Sequence, residues 1–196
     1  SRRSSSLHLA FTQGDTLITG TKSSAKLQLD QDKQVDVAAS TKLVISELVK
    51  SVKAQGGKTS ISLQNGKVKV SVNKKLEGDS RLTIKTPTSI MGVMGTEFYV
   101  YVTPDQTWIG VLEGEVRVRS NTGLEASVRP NEAMTIDEDG EMTPSDLTQE
   151  MIDRFEDDGE AGDVEQDKQV IVYEPEDDAK RMRIQVQLCQ VSFRQV

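Results

Sequence analysis

The chain has 196 residues, 35% of them hydrophobic and 4% aromatic, with a formal charge of -7 and one cysteine, Cys189. No run of about 18 apolar residues occurs, so no segment is suited to cross a membrane as a helix, and a lone cysteine excludes an internal disulfide or a cysteine-based zinc site. The length suits one domain of roughly 130 to 140 residues plus an appendage, and Val, Thr, Ser, Gly and Lys recur where a helical protein would carry Ala and Leu, which predicts an all-β fold.

The charge is unevenly placed. Residues 1–136 hold 18 Lys and Arg against 13 Asp and Glu, residues 137–178 hold 2 against 18, and residues 179–196 hold 4 against none. Like charge at the density of the middle block opposes compaction. The expected division is therefore a β domain over 1–140 and, over 141–196, an acidic linker, a short helix and a two-stranded C-terminal extension. The start of the chain carries no Met and no signal peptide, as expected of a processed chain or a piece of a longer one.

In chain order, Leu27-Gln28-Leu29 and Val35-Asp36-Val37 alternate about a polar turn, the pattern of a hairpin with one buried face. Residues 41–55 carry Leu43, Val44, Ile45, Leu48, Val49 and Val52, which fits either a helical stripe or a strand, and their β-branched content favours the strand. In Lys67 to Val72 the valines at 68, 70 and 72 fall on one face and Lys67, Lys69 and Ser71 on the other. The segments Gly66-Lys67-Val68-Lys69-Val70 and Gly114-Glu115-Val116-Arg117-Val118 share one pattern and predict two similar strand-turn-strand corners, with Asn65-Gly66 as a turn dipeptide. Ser145-Asp146 offers a helix N-cap to the stripe Leu147, Met151, Ile152 and Phe155, giving a helix of about three turns. Two strands come after it, over 170–173 and 183–188. As an isolated pair they would be marginal, so they need a partner: the edge of the main domain, a second copy of the chain, or a further domain.

The run Thr86-Pro87-Thr88-Ser89-Ile90-Met91-Gly92-Val93-Met94-Gly95-Thr96-Glu97-Phe98 resembles the central signature of the FecR family, with its Thr-Pro step, Gly-Val pair and Gly-Thr-Glu-Phe. Gly14-Asp15-Thr16-Leu17 is similar to the family's opening, Trp108 to Val116 to its Glu-Gly-Glu-Val corner at Glu113-Gly114, and Pro130-Asn131-Glu132 to its closing turn. Met94 stands where the family often has arginine, and Asn131-Glu132 replaces a glycine-containing turn. The resemblance implies an antiparallel β-roll or sandwich, a periplasmic or cell-surface address and a role in surface signalling. It does not bring the family's sigma-binding segment or membrane helix, for which this sequence has no counterpart. The signature residues Thr86, Pro87, Gly92, Val93, Gly95, Thr96, Glu97, Phe98, Glu113 and Gly114 read as scaffold: glycines for close approach or positive φ, Thr96 bonding locally, Pro87 pinning an extended entry, and Phe98 in the core with Glu97 and Tyr99 outside.

Catalytic chemistry is hard to assemble from these residues. His8 is the only histidine, so any Ser-His-Asp or Cys-His arrangement would rest on it alone. The acidic block offers no fixed carboxylate pair, and Asp137, Asp139 and Asp146 make only a weak calcium candidate, since Thr135 stands where an EF-hand loop needs its first aspartate. A basic face of Lys67, Lys69, Lys74, Lys75, Arg117 and Arg119 lacks interleaved aromatics, which argues against nucleic acid. The expectation is a noncatalytic envelope protein without a cofactor or metal. It would bind a protein partner, or itself, through Ile184, Val186, Leu188, Val191 and Phe193 added to a sheet edge. The alternatives are a glycan- or peptidoglycan-binding module, with Tyr99, Tyr101 and Trp108 as stacking surface, and a segment of a surface fibre or adhesin.

Overall fold

The computed structural model describes residues 5–21, 23–29, 32–50, 57–73, 81–156, 171–173 and 181–189. The chain forms strands β1 (Ser5–Thr12), β2 (Thr16–Ile18), β3 (Ser24–Gln28), β4 (Lys33–Val37), β5 (Lys42–Lys50), β6 (Gly57–Val72), β7 (Arg81–Lys85) and β8 (Ser89–Val93). Next come β9 (Glu97–Val102), β10 (Gln106–Glu113), β11 (Val116–Ser120), β12 (Glu125–Val128), β13 (Glu132–Asp137) and β14 (Met142–Asp146), then helix α1 (Gln149–Glu156), β15 (Ile171–Tyr173) and β16 (Arg181–Cys189).

The strands make two sheets that share β6. The front sheet runs β1-β16-β3-β4-β6-β9-β10-β13-β14 and the back sheet β15-β2-β5-β6-β7-β8-β11-β12. Period-2 sequence becomes period-2 burial: Val68 and Val70 are 1% and 0% exposed and turn inward from β6, while Lys67 and Lys69 between them stay half-exposed on the outer face. Phe98, Val100, Ile109 and Val111 of the front sheet meet Leu43, Ile61, Ile84 and Val116 of the back sheet in one apolar cluster. This is the all-β roll expected from composition and resemblance, with the short helix on its outside.

The chain passes repeatedly from one sheet to the other, and six of these corners carry a residue at positive φ: Gly14 (101°), Ser40 (52°), Gly66 (99°), Gly95 (79°), Gly114 (83°) and Asn131 (66°). Asparagine tolerates the left-handed region, so Asn131 serves its corner as well as the glycine it replaces. The expected kinship of Gly66 and Gly114 is real, but neither is a hairpin turn. At Gly66 the strand runs on and changes sheets, Asn65 pairing with Lys42 at the back and Gly66 with Val102 at the front. That bend also explains the one departure from an antiparallel arrangement among the described strand pairs: β7 returns parallel to the first half of β6, Lys58 opposite Arg81 through Ser62 opposite Lys85.

Residues 42–50 are strand, as their β-branched content predicts. Helix α1 starts later and is shorter than expected, eight residues, because Ser145 and Asp146 belong to β14, where they pair with Ala133 and Glu132. The cap is Thr148, whose hydroxyl accepts from the Met151 N–H at 3.3 Å. The two terminal strands do not form a hairpin with each other. β15 pairs with β2, and β16 lies between β1 and β3, Val186 opposite Leu27 and Leu188 opposite Ala25. Of the three partners open to them in sequence, the structure selects the main domain. Local alternation sets a strand's faces but not its neighbours, which long-range pairing decides.

Candidate functional site

Most of the signature residues lie on the β7–β8 turn of the back sheet, along β8 and at the β8–β9 corner between the sheets, with Glu113 and Gly114 at the β10–β11 corner. Thr86 and Ser89 close the β7–β8 turn, the Thr86 N–H donating to the Ser89 carbonyl at 2.8 Å and the Ser89 N–H to Thr86 Oγ1 at 3.0 Å. Pro87 is exposed on that turn rather than in an extended entry. Hydroxyls then tie the turn to the front sheet: Thr88 Oγ1 donates to Thr107 Oγ1 at 2.8 Å, and Thr107 Oγ1 to Thr86 Oγ1 at 2.9 Å. The turn also forms one wall of an open cleft of about 460 Å³, whose other wall is the Arg119 to Gly123 turn. The hydroxyls of Ser120 and Thr122 there bond each other at 2.8 Å, so this polar lining is largely engaged in holding the two turns.

Val93 and Phe98 are core residues, 2% and 0% exposed. The Thr96 hydroxyl does not bond locally as expected; it is buried with no hydrogen-bond partner among the described residues, while its carbonyl accepts from the Val72 N–H at 2.9 Å. Glu113 is exposed at the end of β10, beside the Gly114 corner. Gly92 departs from expectation in the other direction: it is exposed on β8, and a Cβ there would meet nothing within 4 Å.

The remaining candidates separate clearly. Asp137 accepts from the Glu141 N–H at 2.8 Å at the turn of the β13–β14 hairpin, next to exposed Asp139, while Asp146 pairs with Glu132 at the hairpin's opposite end. Antiparallel register thus holds Asp146 several residues from the other two, and they do not converge on an ion. Among the described residues no three His, Cys, Asp or Glu side chains are grouped to hold a metal. The basic residues also divide, Lys67 and Lys69 on the outer face of the front sheet and Arg117 and Arg119 on that of the back sheet. Lys74, Lys75, Val191 and Phe193 lie outside the described residues. Strand β16, which carries Ile184, Val186 and Leu188, pairs with β1 over residues 181–188 and with β3 over 185–189, so Val186 and Leu188 are flanked by strands on both sides.

Tyr99, Tyr101 and Trp108 do come together. On the outer face of the front sheet Tyr101 stands opposite both Lys67 and Trp108, and Tyr99 opposite both Lys69 and Gly110. Tyr99 faces away from the core, as the pleat requires, yet is only 1% exposed, because α1 lies over it. Phe155 of that helix places its ring 4.5 Å from Tyr99, 5.7 Å from Trp108 and 6.5 Å from Tyr101, distances at which aromatic pairs attract. The Lys67 ammonium donates to the Arg154 carbonyl at 2.9 Å, at the C-terminal end of the helix where a cation is favoured. Gly110 makes room for the assembly, since a Cβ there would lie 2.5 Å from the Trp108 ring and 2.8 Å from Leu147. Sequence reasoning missed Phe155, Leu147, Lys67 and Gly110 as parts of one site. The stripe on α1 gave the only signal, and it did not say which surface the helix covers.

Beside this cluster Lys69 pairs with Glu97 at 2.9 Å and stands 5.3 Å over the Tyr99 ring. Burial pulls the Lys69 ammonium down, but the Glu97 hydrogen bond and the charges of Tyr99 and Glu97 outweigh it and hold the group above its ordinary value of 10.5. A cation so raised stabilises the fold below that value and loses the contribution as pH rises through the folded one. Glu97→Gln is expected to lower stability by about 0.2–1 kcal/mol at neutral pH and low salt, as for a half-exposed pair. The difference should shrink in high salt, and alkaline loss should begin at lower pH in the variant, both readable by urea denaturation.

The profile of the FecR protein family matches residues 15–117, more than half of the chain. No curated protein is similar enough to match. Two crystal structures of a candidate anti-sigma factor from Parabacteroides distasonis ATCC 8503 are similar to this one, with TM-scores of 0.53 and 0.52 at 16% and 15% identity. The similarity covers 67% and 71% of this chain but 59% and 60% of theirs, so the chain spans about three fifths of the length of those proteins. At that identity the likeness is one of fold, and it agrees with the two-sheet roll described above. With residues 15–117, more than half of its length, matching the family as a block, the chain belongs to the FecR protein family.

Proposed function

We propose that this chain is a noncatalytic regulatory module of bacterial surface signalling, placed in the periplasm or at the cell surface, that works by binding another protein. The observation that carries the reading is the family match over residues 15–117. Two further observations support it. The polar side chains that do cluster, Thr86, Thr88, Ser89 and Thr107, bond one another and hold turns in place, and the solved structures of like fold are of a candidate anti-sigma factor. In this reading residues 1–140 form the FecR-like domain and 141–196 modulate it.

The test is transcriptional. Deleting the gene for this chain, or supplying the chain in excess, is expected to change expression of a group of genes under one alternative sigma factor several-fold, as read by RNA sequencing. Protease added to cells with a permeabilised outer membrane should degrade the chain while cytosolic markers survive. If the transcripts do not respond in either strain, the signalling reading is lost.

A further inference from the structure

Helix α1 is held to the domain by little of itself. Its eight residues are too few for a helix to be stable alone in water, and among its described side chains only Phe155 is buried, with Met151 and Ile152 half-buried. Its charged and polar residues bond along the helix rather than to the sheet, Gln149 to Asp153 at 2.8 Å and Arg154 to Glu150 at 2.7 Å.

The sheet, by contrast, is shaped to receive it. Tyr99, Tyr101 and Trp108 surround one aromatic ring, Gly110 leaves the space that a methyl group would fill, and Lys67 donates to the Arg154 carbonyl near the end of the helix while standing 5.7 Å over the Phe155 ring. The sequence just beyond this anchor is acidic: from Glu156 to Asp167 there are seven Asp and Glu and no Lys or Arg. Lys67 and Lys69 lie on the outer face that the helix covers, Lys67 at its Arg154 end. A fixed receptor and a weakly tethered ligand of complementary charge are the two parts an exchangeable contact requires, because opening the helix disturbs no strand pairing.

We propose that the Tyr99–Tyr101–Trp108–Lys67 cradle is a protein-docking site that α1 occupies in cis, and that its partner is a short amphipathic segment bearing one aromatic anchor followed by acidic residues. The proposal rests on the reading of the chain as a protein-binding module and states where on it the partner sits. A saccharide is the weaker occupant. Tyr99 lies at the bottom of the cradle against an inserted ring, and Lys67 is spent on a peptide carbonyl, whereas a sugar would need flat, open ring faces.

The experiment uses the full chain, wild type and Phe155→Ala, with a fluorescent peptide of residues 147–168 as the probe. Emptying the cradle is expected to red-shift Trp108 emission, to raise peptide affinity at least tenfold over wild type, and to let the peptide restore the blue emission; a peptide carrying Phe155→Ala should not bind. A Phe155→Ala chain with red-shifted emission that ignores the peptide, or that binds it no better than wild type does, overturns the proposal. So does binding of soluble peptidoglycan fragments in place of the peptide. Should Phe155→Ala lose its β-sheet circular dichroism, Asp153→Pro, which breaks the helix at an exposed position and leaves every cradle residue in place, replaces it with the same expected direction of change. Peptide binding does not depend on the transcriptional response, so failure here leaves the signalling reading standing, and loss of that response with peptide binding intact leaves the cradle standing.

Discussion

Gly114→Val is expected to destabilise the protein by about 2–5 kcal/mol, lowering the melting temperature by about 10 °C for a chain of this size. Gly114 has φ +83°, and a Cβ added there would lie 2.5 Å from the Gly95 carbonyl oxygen and 2.6 Å from Thr96 Cγ2. Two penalties therefore combine. A β-branched residue is strained in the left-handed region by about 1–2 kcal/mol, and crowding a rigid backbone adds about 1–3 kcal/mol. The Gly95 corner cannot yield, since it is itself at φ +79° and carries the chain between sheets. Gly92→Ala is the paired control. It lies in the same signature but meets open space, so its effect should stay within about 0.5 kcal/mol. Thermal denaturation of the two variants decides the matter, and equal losses would show that the corner geometry is not the contribution of the signature glycines.

Phe98→Ala is expected to cost about 3–5 kcal/mol. The side chain is 0% exposed, on the core face between Val70 of β6 and Val111 of β10, where β6 is paired without interruption from Gly66 to Ser71 and β10 from Thr107 to Val111. Those strands cannot collapse into the vacated volume without shifting register, which would carry every inward side chain to the outside. Tyr101→Ala, three residues along the same strand and 38% exposed, should cost clearly less. Urea denaturation of both variants gives the comparison, and a loss at position 98 no larger than at 101 would place the core elsewhere.

Much of the fold was legible because strand physics is local. Alternation in Lys67 to Val72 gave the buried face of β6 directly, and Leu27 to Val37 gave the β3–β4 hairpin. The β-branched content of residues 42–50 outweighed their helical spacing, since a strand there can pair on both sides, with β2 and β6. The signature run identified the family, yet its residues turned out to be corners, a turn and core. At Gly92 the reading went too far, because a glycine within a family signature need not answer to packing.

The candidate site was not legible, for a reason that Tyr99 makes plain. Its alternation with Phe98 puts it outside the core, and nothing in its neighbourhood in sequence says that a helix fifty residues later will cover it. Phe155 likewise reads as the apolar face of any short helix. Their meeting depends on the pairing of β13 with β10 and of β14 with β13, which delivers Leu147 and α1 onto the front sheet at the place where Gly110 leaves room.

The sequence by itself determined the all-β class, the faces of the strands and the FecR family, because hydrophobic period and turn chemistry act between neighbours in the chain. Only the tertiary structure decided which strands adjoin, that β15 and β16 belong to the two main sheets rather than to each other, and that three outward aromatics form a cradle closed by Phe155. Those outcomes rest on contacts between residues far apart in sequence, whose energies depend on register and shape across the sheets and leave no periodic trace along the chain.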